Sequence, residues 1–363
     1  MRDSAVMKAI EAFWLQAKAC AALGSPMYAG LLDRLAEDIE AGGPTAMVLR
    51  GHEDDTGPSA LALRLLGSVH RLVLERRAGA LGAFYPSVGG TWDLEAGATA
   101  FGALLEREPD AVREWLDRVP QTNEVGRATA LMGGLLHLSE TARLPVRLFE
   151  IGSAGGLNLL VDRFGYVDDS GTVFGDTSSP VRLEPAWRGE QLTPWPELRM
   201  DERVGSDLLP LDAGTTEGRL ALTAYVWPDQ ADRLERLRGA LSLAQLAPPD
   251  VRRQGAGDFV EDIELREGAT TVVWHSVMWQ YLPRDEQATA AAGIEKLGQQ
   301  ANEGKPFVHL LFEPLRRTPE SDHEFLVVMT SWPGGERRIL GRAAPHGIPV
   351  TWEPGNSKSL DPL

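Results

Sequence analysis

The motif Glu150-Ile-Gly-Ser-Ala-Gly-Gly-Leu-Asn158 places an acid and three glycines directly after a largely apolar run at 146–149. Glycine in such a turn lets the backbone approach a ligand, and a helix starting beyond it offers unpaired N–H groups to an anion. The spacing Glu150-x-Gly152-x-Ala154-x-Gly156, with Ser153 and Asn158 alongside, therefore reads as a cofactor turn between a strand and a helix over 156–164. A dinucleotide fingerprint would instead be Gly-x-Gly-x-x-Gly with its acid about 20 residues further on. Here Glu150 precedes the first glycine, which disfavours a nicotinamide-dependent oxidoreductase.

A second polar stretch is Gln121-Thr-Asn-Glu-Val-Gly-Arg127. Gln121, Asn123, Glu124 and Arg127 could clamp a polar ligand, the amides as donors and acceptors and the arginine as a fork. The same residues also make a helix cap, with Thr122 or Asn123 as N-cap and Glu124 beside the positive helix end. Asp207 closes a short apolar strand and suits a ribose, because a carboxylate accepts two hydrogen bonds from a cis diol; Glu184 competes for that role. His275 ends the apolar strand that begins at Thr270, ahead of a polar, aromatic-rich turn. Open α/β sheets carry reactive groups at such strand ends. With an ordinary pKa of about 6.5 it can act as a base, or as a hydrogen-bonded structural histidine.

The elements that must carry these residues divide at Pro145. Before it, residues 3–144 read as an all-helical domain. Val6, Ile10, Phe13, Trp14 and Ala17 recur at helical spacing behind Asp3; Tyr28, Leu31, Leu32, Leu35 and Ile39 come after Ser25-Pro26 and stop at Gly42-Gly43-Pro44. Leu61, Leu65, Val69 and Val73 come after Ser59, and Val112, Trp115, Leu116 and Val119 after Pro109. Residues 145–363 read as strands alternating with helices, ending in an antiparallel hairpin around Pro333-Gly334-Gly335. Between the glycine turn and Asp207 lies an irregular insertion with Trp187 and Trp195. Trp227-Pro-Asp-Gln230 reads as a helix start, Pro228 in the first turn and Asp229 on its dipole.

Hydrophobic residues at 43% and charged residues at 24% describe a folded globular chain. The net charge of −16 repels phosphate backbones, which argues against nucleic acid as partner. No run of about 18 apolar residues and no basic-then-apolar leader appears, so no membrane span is expected and the cytoplasm is the expected compartment. Cys20 is the single cysteine and the seven histidines are scattered, so neither a disulfide nor a metal site is expected.

The ordered landmarks Glu150 to Gly156, Asp207, Asp258 and His275 resemble those of class I methyltransferases, which bind S-adenosylmethionine. That resemblance implies a mostly parallel, seven-stranded Rossmann-like sheet with an antiparallel C-terminal hairpin. It also implies that Asp258 meets the adenine amino group, that Phe259 flanks the ring, and that a methyl group goes to a small polar or aromatic molecule. Over nearly its whole length the chain also resembles the uncharacterised DUF2332 family. The marks are Gln121 to Arg127, Glu150 to Asn158, Trp227-Pro-Asp-Gln230 with Arg233, and Trp332-Pro-Gly-Gly335 with His346-Gly347 beyond it. This second resemblance implies that the 121–127 stretch belongs to the site, as a lid on the helical domain. A ligand-binding or regulatory protein without catalysis is the alternative, and a homodimer is compatible with either.

Overall fold

A computed structural model describes residues 4–55, 60–118, 120–139 and 143–356. The expected caps Asp3 and Ser59, and the stripe residue Val119, lie outside them. The chain forms two compact units, one of Met1–Thr122 with Thr215–Glu235 and one of Asn123–Gly214 with Arg236–Leu363. The division thus falls ahead of the expected break at Pro145, and a later excursion of the chain returns to the helical unit.

The helical unit contains α1 (Ser4–Ala22), α2 (Pro26–Ala41), α3 (Pro44–Val48), α4 (Leu61–Leu74), α5 (Leu94–Arg107), α6 (Pro109–Leu116), α7 (Thr216–Ala224) and the start of α8 (Ala231–Leu246). Sequence spacing dictates its core. Ile10, Phe13 and Ala17 of α1 meet Tyr28, Leu31, Leu32, Leu35 and Ile39 of α2, with Leu65, Val69 and Val73 of α4 in the same cluster. Trp14, expected in that stripe, is exposed. Ser25 caps α2 as expected, its hydroxyl accepting the Tyr28 N–H at 3.3 Å, and Gly42 ends the helix in the left-handed region at φ +73°. Cys20 is buried, and desolvation pushes its thiol up to about 11, so it behaves as a small hydrophobe.

Trp227-Pro-Asp-Gln230 has a different role from the one expected. It forms a turn ahead of α8, and Asp229 serves α2: its carboxylate accepts the Ser25 hydroxyl at 2.7 Å and the Met27 N–H at 3.0 Å. Gln230 Nε2 donates to Leu23 O at 2.8 Å, just past the end of α1. Arg233 lies over the Trp227 ring at 5.5 Å, and Trp227 is buried in the helical core. The motif therefore clasps the α1–α2 corner, satisfying an N-terminal donor and a C-terminal acceptor together.

The other unit is built on β1 (Val146–Ile151), β2 (Gly165–Val167), β3 (Val173–Gly175), β4 (Arg182–Leu183), β5 (Trp187–Gly189), β6 (Met200–Asp207), β7 (Asp250–Arg253), β8 (Thr270–Ser276), β9 (Phe307–Arg316), β10 (His323–Trp332), β11 (Glu336–Ala343) and β12 (Val350–Asn356). The large sheet has nine strands, not the expected seven, in the order β5-β12-β11-β10-β9-β8-β1-β6-β7. Strands β7, β6, β1, β8 and β9 are mutually parallel, and β9 to β12 form an antiparallel meander that contains the expected hairpin. One extra strand is β5, which the insertion before β6 returns to the far edge, and the other is β12, to which β5 lies parallel; β3-β2-β4 make a small separate sheet. Trp187 stacks on Tyr166 at 5.2 Å within that packing, so it belongs to the core.

Both faces of the large sheet are covered. On one, α10 (Ala256–Glu261) and α11 (Arg284–Gln300) bury Phe259, Ile294 and Leu297 against Phe149, Ile151, Val273 and Phe307. On the other lies α9 (Ala128–Leu138), where a Cβ at Gly134 would stand 2.5 Å from Leu310. The opposing faces arise from the two-residue alternation of strand side chains.

Candidate functional site

The strand order reverses at β1, with β6 and β7 to one side and β8 and β9 to the other. Ile151, at the carboxyl end of β1, is level with Ser206 of β6 and His275 of β8. At such a reversal the loops leave in opposite directions and open a crevice, where α/β sheets bind ligands.

The 152–156 turn rises there. Gly152 (φ +67°), Ala154 (φ +50°) and Gly156 (φ +68°) all lie in the left-handed region, which costs an alanine about 1 kcal/mol. Ala154 is held in place from both sides, its N–H donating to Asp207 Oδ2 at 3.0 Å and its carbonyl accepting the Leu211 N–H at 3.1 Å. Asp207 ends β6 and also accepts the Leu209 N–H at 2.9 Å, so it is the acid beside the turn. Glu184 is exposed beyond β4 and paired with Arg182 at 2.7 Å.

The turn differs from its expected form in one chemical respect. The N–H groups of Ser153, Ala154, Gly156 and Leu157 are already engaged, by Ser206 O, Asp207, Ser153 O and Asn123 Oδ1. The chain leaves the turn not as an α-helix but as a 3-10 stretch, Leu157–Arg163, broken at Leu160. A short run of this kind has no extended macrodipole to attract an anion.

The open hydrogen-bonding capacity lies instead on side-chain oxygens under the turn. Glu150 is 3% exposed; Trp274 Nε1 donates to its Oε1 at 3.2 Å, and Oε2 has no partner among protein atoms. Desolvation pushes its carboxyl up to about 8, against the pull of the Trp274 hydrogen bond, the nearby Asn158 amide and the Arg127 charge. The buried Asn158 donates to Glu124 O at 3.4 Å, and its Oδ1 is likewise unpartnered.

The 121–127 stretch does not sit together on the helical unit. Only Gln121 and Thr122 fall there, whereas Asn123, Glu124 and Arg127 belong to the sheet unit. They brace the crevice. Asn123 accepts the Leu157 N–H at 2.9 Å, and Glu124 caps the 3-10 turn Val125–Arg127 by accepting the Gly126 N–H at 3.0 Å. Arg127 donates from Nη1 to Ser276 O at 3.2 Å and from Nε to Pro345 O at 3.1 Å. His346-Gly347 explains its own presence: a Cβ at Gly347 would stand 2.6 Å from Arg127 Cα, and Thr129 donates to Gly347 O at 2.6 Å.

His275 is fully buried and both ring nitrogens are engaged, Nδ1 with Glu313 Oε1 at 2.8 Å and Nε2 with His309 Nε2 at 3.0 Å. In this arrangement neither nitrogen is open to a ligand, as in the reading of a hydrogen-bonded structural histidine. Glu313 and His309 escaped the sequence reading because β9 looked simply apolar. The signal was a histidine and a glutamate four residues apart, hence on one strand face. The two engaged nitrogens of His275 sit on opposite sides of its ring, and among the described residues no group of three His, Cys, Asp or Glu side chains could hold a metal ion. Asp258 is exposed on the first turn of α10. Phe259 packs fully buried in the core against Phe149, with ring centroids 6.1 Å apart.

Fold and site together define an α/β protein with a crevice at the strand-order reversal of a mixed sheet. A family model described as "Uncharacterized protein conserved in bacteria (DUF2332)" matches residues 10–352, and the chain belongs to that family. No curated protein and no solved structure matches it. Among the described residues no helix is long and apolar enough to cross a membrane.

Proposed function

We propose that the crevice binds S-adenosylmethionine and that the protein transfers its methyl group to a small polar or aromatic acceptor. The observation that carries this reading is the meeting of the 152–156 turn with Asp207 at the strand-order reversal, directly above the buried, half-unpartnered Glu150. S-adenosylmethionine, when bound, supplies an activated methyl group. Transfer of that group demands alignment and exclusion of water above all. Asp207 offers its remaining lone pairs to hydroxyl donors, Asn158 Oδ1 offers a buried acceptor to an N–H-bearing group, and the protonated Glu150 offers a donor from Oε2. Asp258 stands at the carboxyl side of β7, where it can meet a ring amino group.

Binding without transfer is the second reading, favoured by the closed hydrogen bonding of His275. Calorimetric titration with S-adenosylmethionine and S-adenosylhomocysteine tests the first. Saturable binding is expected, and Gly152→Asp is expected to abolish it, because a side chain there meets Met278 at 3.0 Å in a left-handed backbone. No heat from folded, ligand-free protein would remove the cofactor reading. Binding with no turnover across an acceptor screen would favour the second.

A further inference from the structure

The buried group formed by Glu313, His275 and His309 takes no part in the chemistry proposed above, yet it reaches the crevice. Glu313 is 2% exposed, and its Oε1 accepts three hydrogen bonds: His275 Nδ1 at 2.8 Å, the Met278 N–H at 3.0 Å and the Trp279 N–H at 3.3 Å. Because Nδ1–H of His275 points at Glu313, its Nε2 serves as acceptor and His309 donates from Nε2. Burial, helped by the Arg337 charge, holds His309 well below the usual histidine range, so it stays neutral in that role.

These bonds fix a strained loop. Val277, a β-branched residue, sits at φ +50°, with its N–H on Phe312 O at 2.9 Å. Trp279 stacks on His275, ring centroids 4.9 Å apart and planes at 24°. Met278 lies over Gly152, its Cγ and Cε 3.0 Å from where a Cβ would stand. A chain of contact thus runs from Glu313 on β9, through Met278, to the first residue of the glycine turn.

We propose that Glu313 is a positioning residue for the ligand crevice: it fixes residues 277–279, and through Met278 the Gly152 turn, without touching ligand itself. The inference rests on the reading that this crevice takes S-adenosylmethionine. It is tested in the full-length protein with E313A, E313Q and M278A. Amide exchange at Met278 and Trp279 and the imidazole nitrogen spectrum of His275 are recorded without ligand, and S-adenosylhomocysteine affinity is measured by calorimetry.

E313A is expected to speed exchange at both amides and to weaken binding about tenfold, the loss that accompanies roughly one buried hydrogen bond to a charged group. E313Q keeps an acceptor oxygen for the loop N–H groups and is expected to restore most of the affinity. M278A leaves the buried group intact, so it should weaken binding while the His275 spectrum stays that of the wild type. It carries the test if E313A does not fold. Wild-type affinity in M278A, or unchanged amide exchange in E313A, overturns the inference alone. Wild-type protein that binds neither cofactor form overturns the cofactor reading, and this inference with it.

Discussion

Two motifs, one in each unit, use polar residues in opposite ways. In the helical unit the family motif Trp227 to Arg233 closes on itself: Asp229 and Gln230 each end on a helix terminus, and Trp227 fills the core. In the sheet unit the Glu150 to Asn158 motif stays open, with a carboxyl oxygen and an amide oxygen lacking partners and an alanine in a conformation that suits glycine. A recurring motif can therefore be a fastening or a site, and only the state of its hydrogen bonds tells which. Local strain and unpaired buried groups destabilise, so where they gather, a ligand is the simplest reason for their persistence.

The sharpest way to break this contrast is to damage each unit and ask whether binding is lost with it. Gly347→Ala sets a Cβ against the Arg127 backbone at φ +82°, where neither side can give. A loss of about 3 kcal/mol is expected in denaturant unfolding, together with loss of S-adenosylhomocysteine binding. Asp229→Ala removes a helix cap and two hydrogen bonds to a carboxylate, with an expected cost of about 2 kcal/mol. Its binding heat should remain that of the wild type, and loss of binding at full folding would erase the distinction drawn between the units.

The next effect is on pH dependence. Glu150 titrates in the folded protein at about 8 and in the unfolded chain near 4.5, so between those values the native state holds a proton that the unfolded chain has released. Stability must then fall as pH rises through that window. Glu150→Gln should flatten this alkaline limb and add about 1–2 kcal/mol near pH 8, a modest fraction of what full desolvation of the charge would cost. The acid limb has other owners. His70 and His137 are held down to about 4 by burial, so the unfolded chain takes up protons first as pH drops below 6.5; where the two windows overlap, Glu150→Gln removes the opposing gain and should steepen that limb. Unfolding midpoints across the pH range read both limbs. The smallest effect concerns Ala154: Ala154→Gly relieves a left-handed alanine and should stabilise by about 0.5 kcal/mol. Destabilisation would mean that the Ala154 methyl packs usefully in the turn.

The features legible in the sequence came from local periodicity. The α2 and α4 stripes, the Ser25 cap, the Gly42 stop and the strands flanking the glycine turn depend on neighbours a few residues away, and each lies where its spacing puts it. Asp207 could be placed because it ends a strand. The features that escaped depend on partners far along the chain. Asp229 looked like a dipole partner of its own helix and serves one near residue 26; His275 read equally as a base or as a hydrogen-bonded histidine, and its partners Glu313 and His309 lie on the next strand; β5 is three residues long and is a strand only because β12 lies beside it. Trp14 and Phe259 show the remaining failure, since hydrophobic character fixes neither which side of a wide stripe turns inward nor whether an aromatic packs or binds.

The interleaving of the units along the chain has a consequence for biosynthesis. Trp227 completes the helical core, yet it is translated after β1 and β6. On the ribosome the first hundred or so residues must wait, with an apolar gap, until the opening strands of the other unit have already emerged. An early stop between residues 144 and 227 therefore yields a fragment with an unfilled core, a ready substrate for chaperones and proteases. Neither unit could be lost or exchanged in evolution by a single cut.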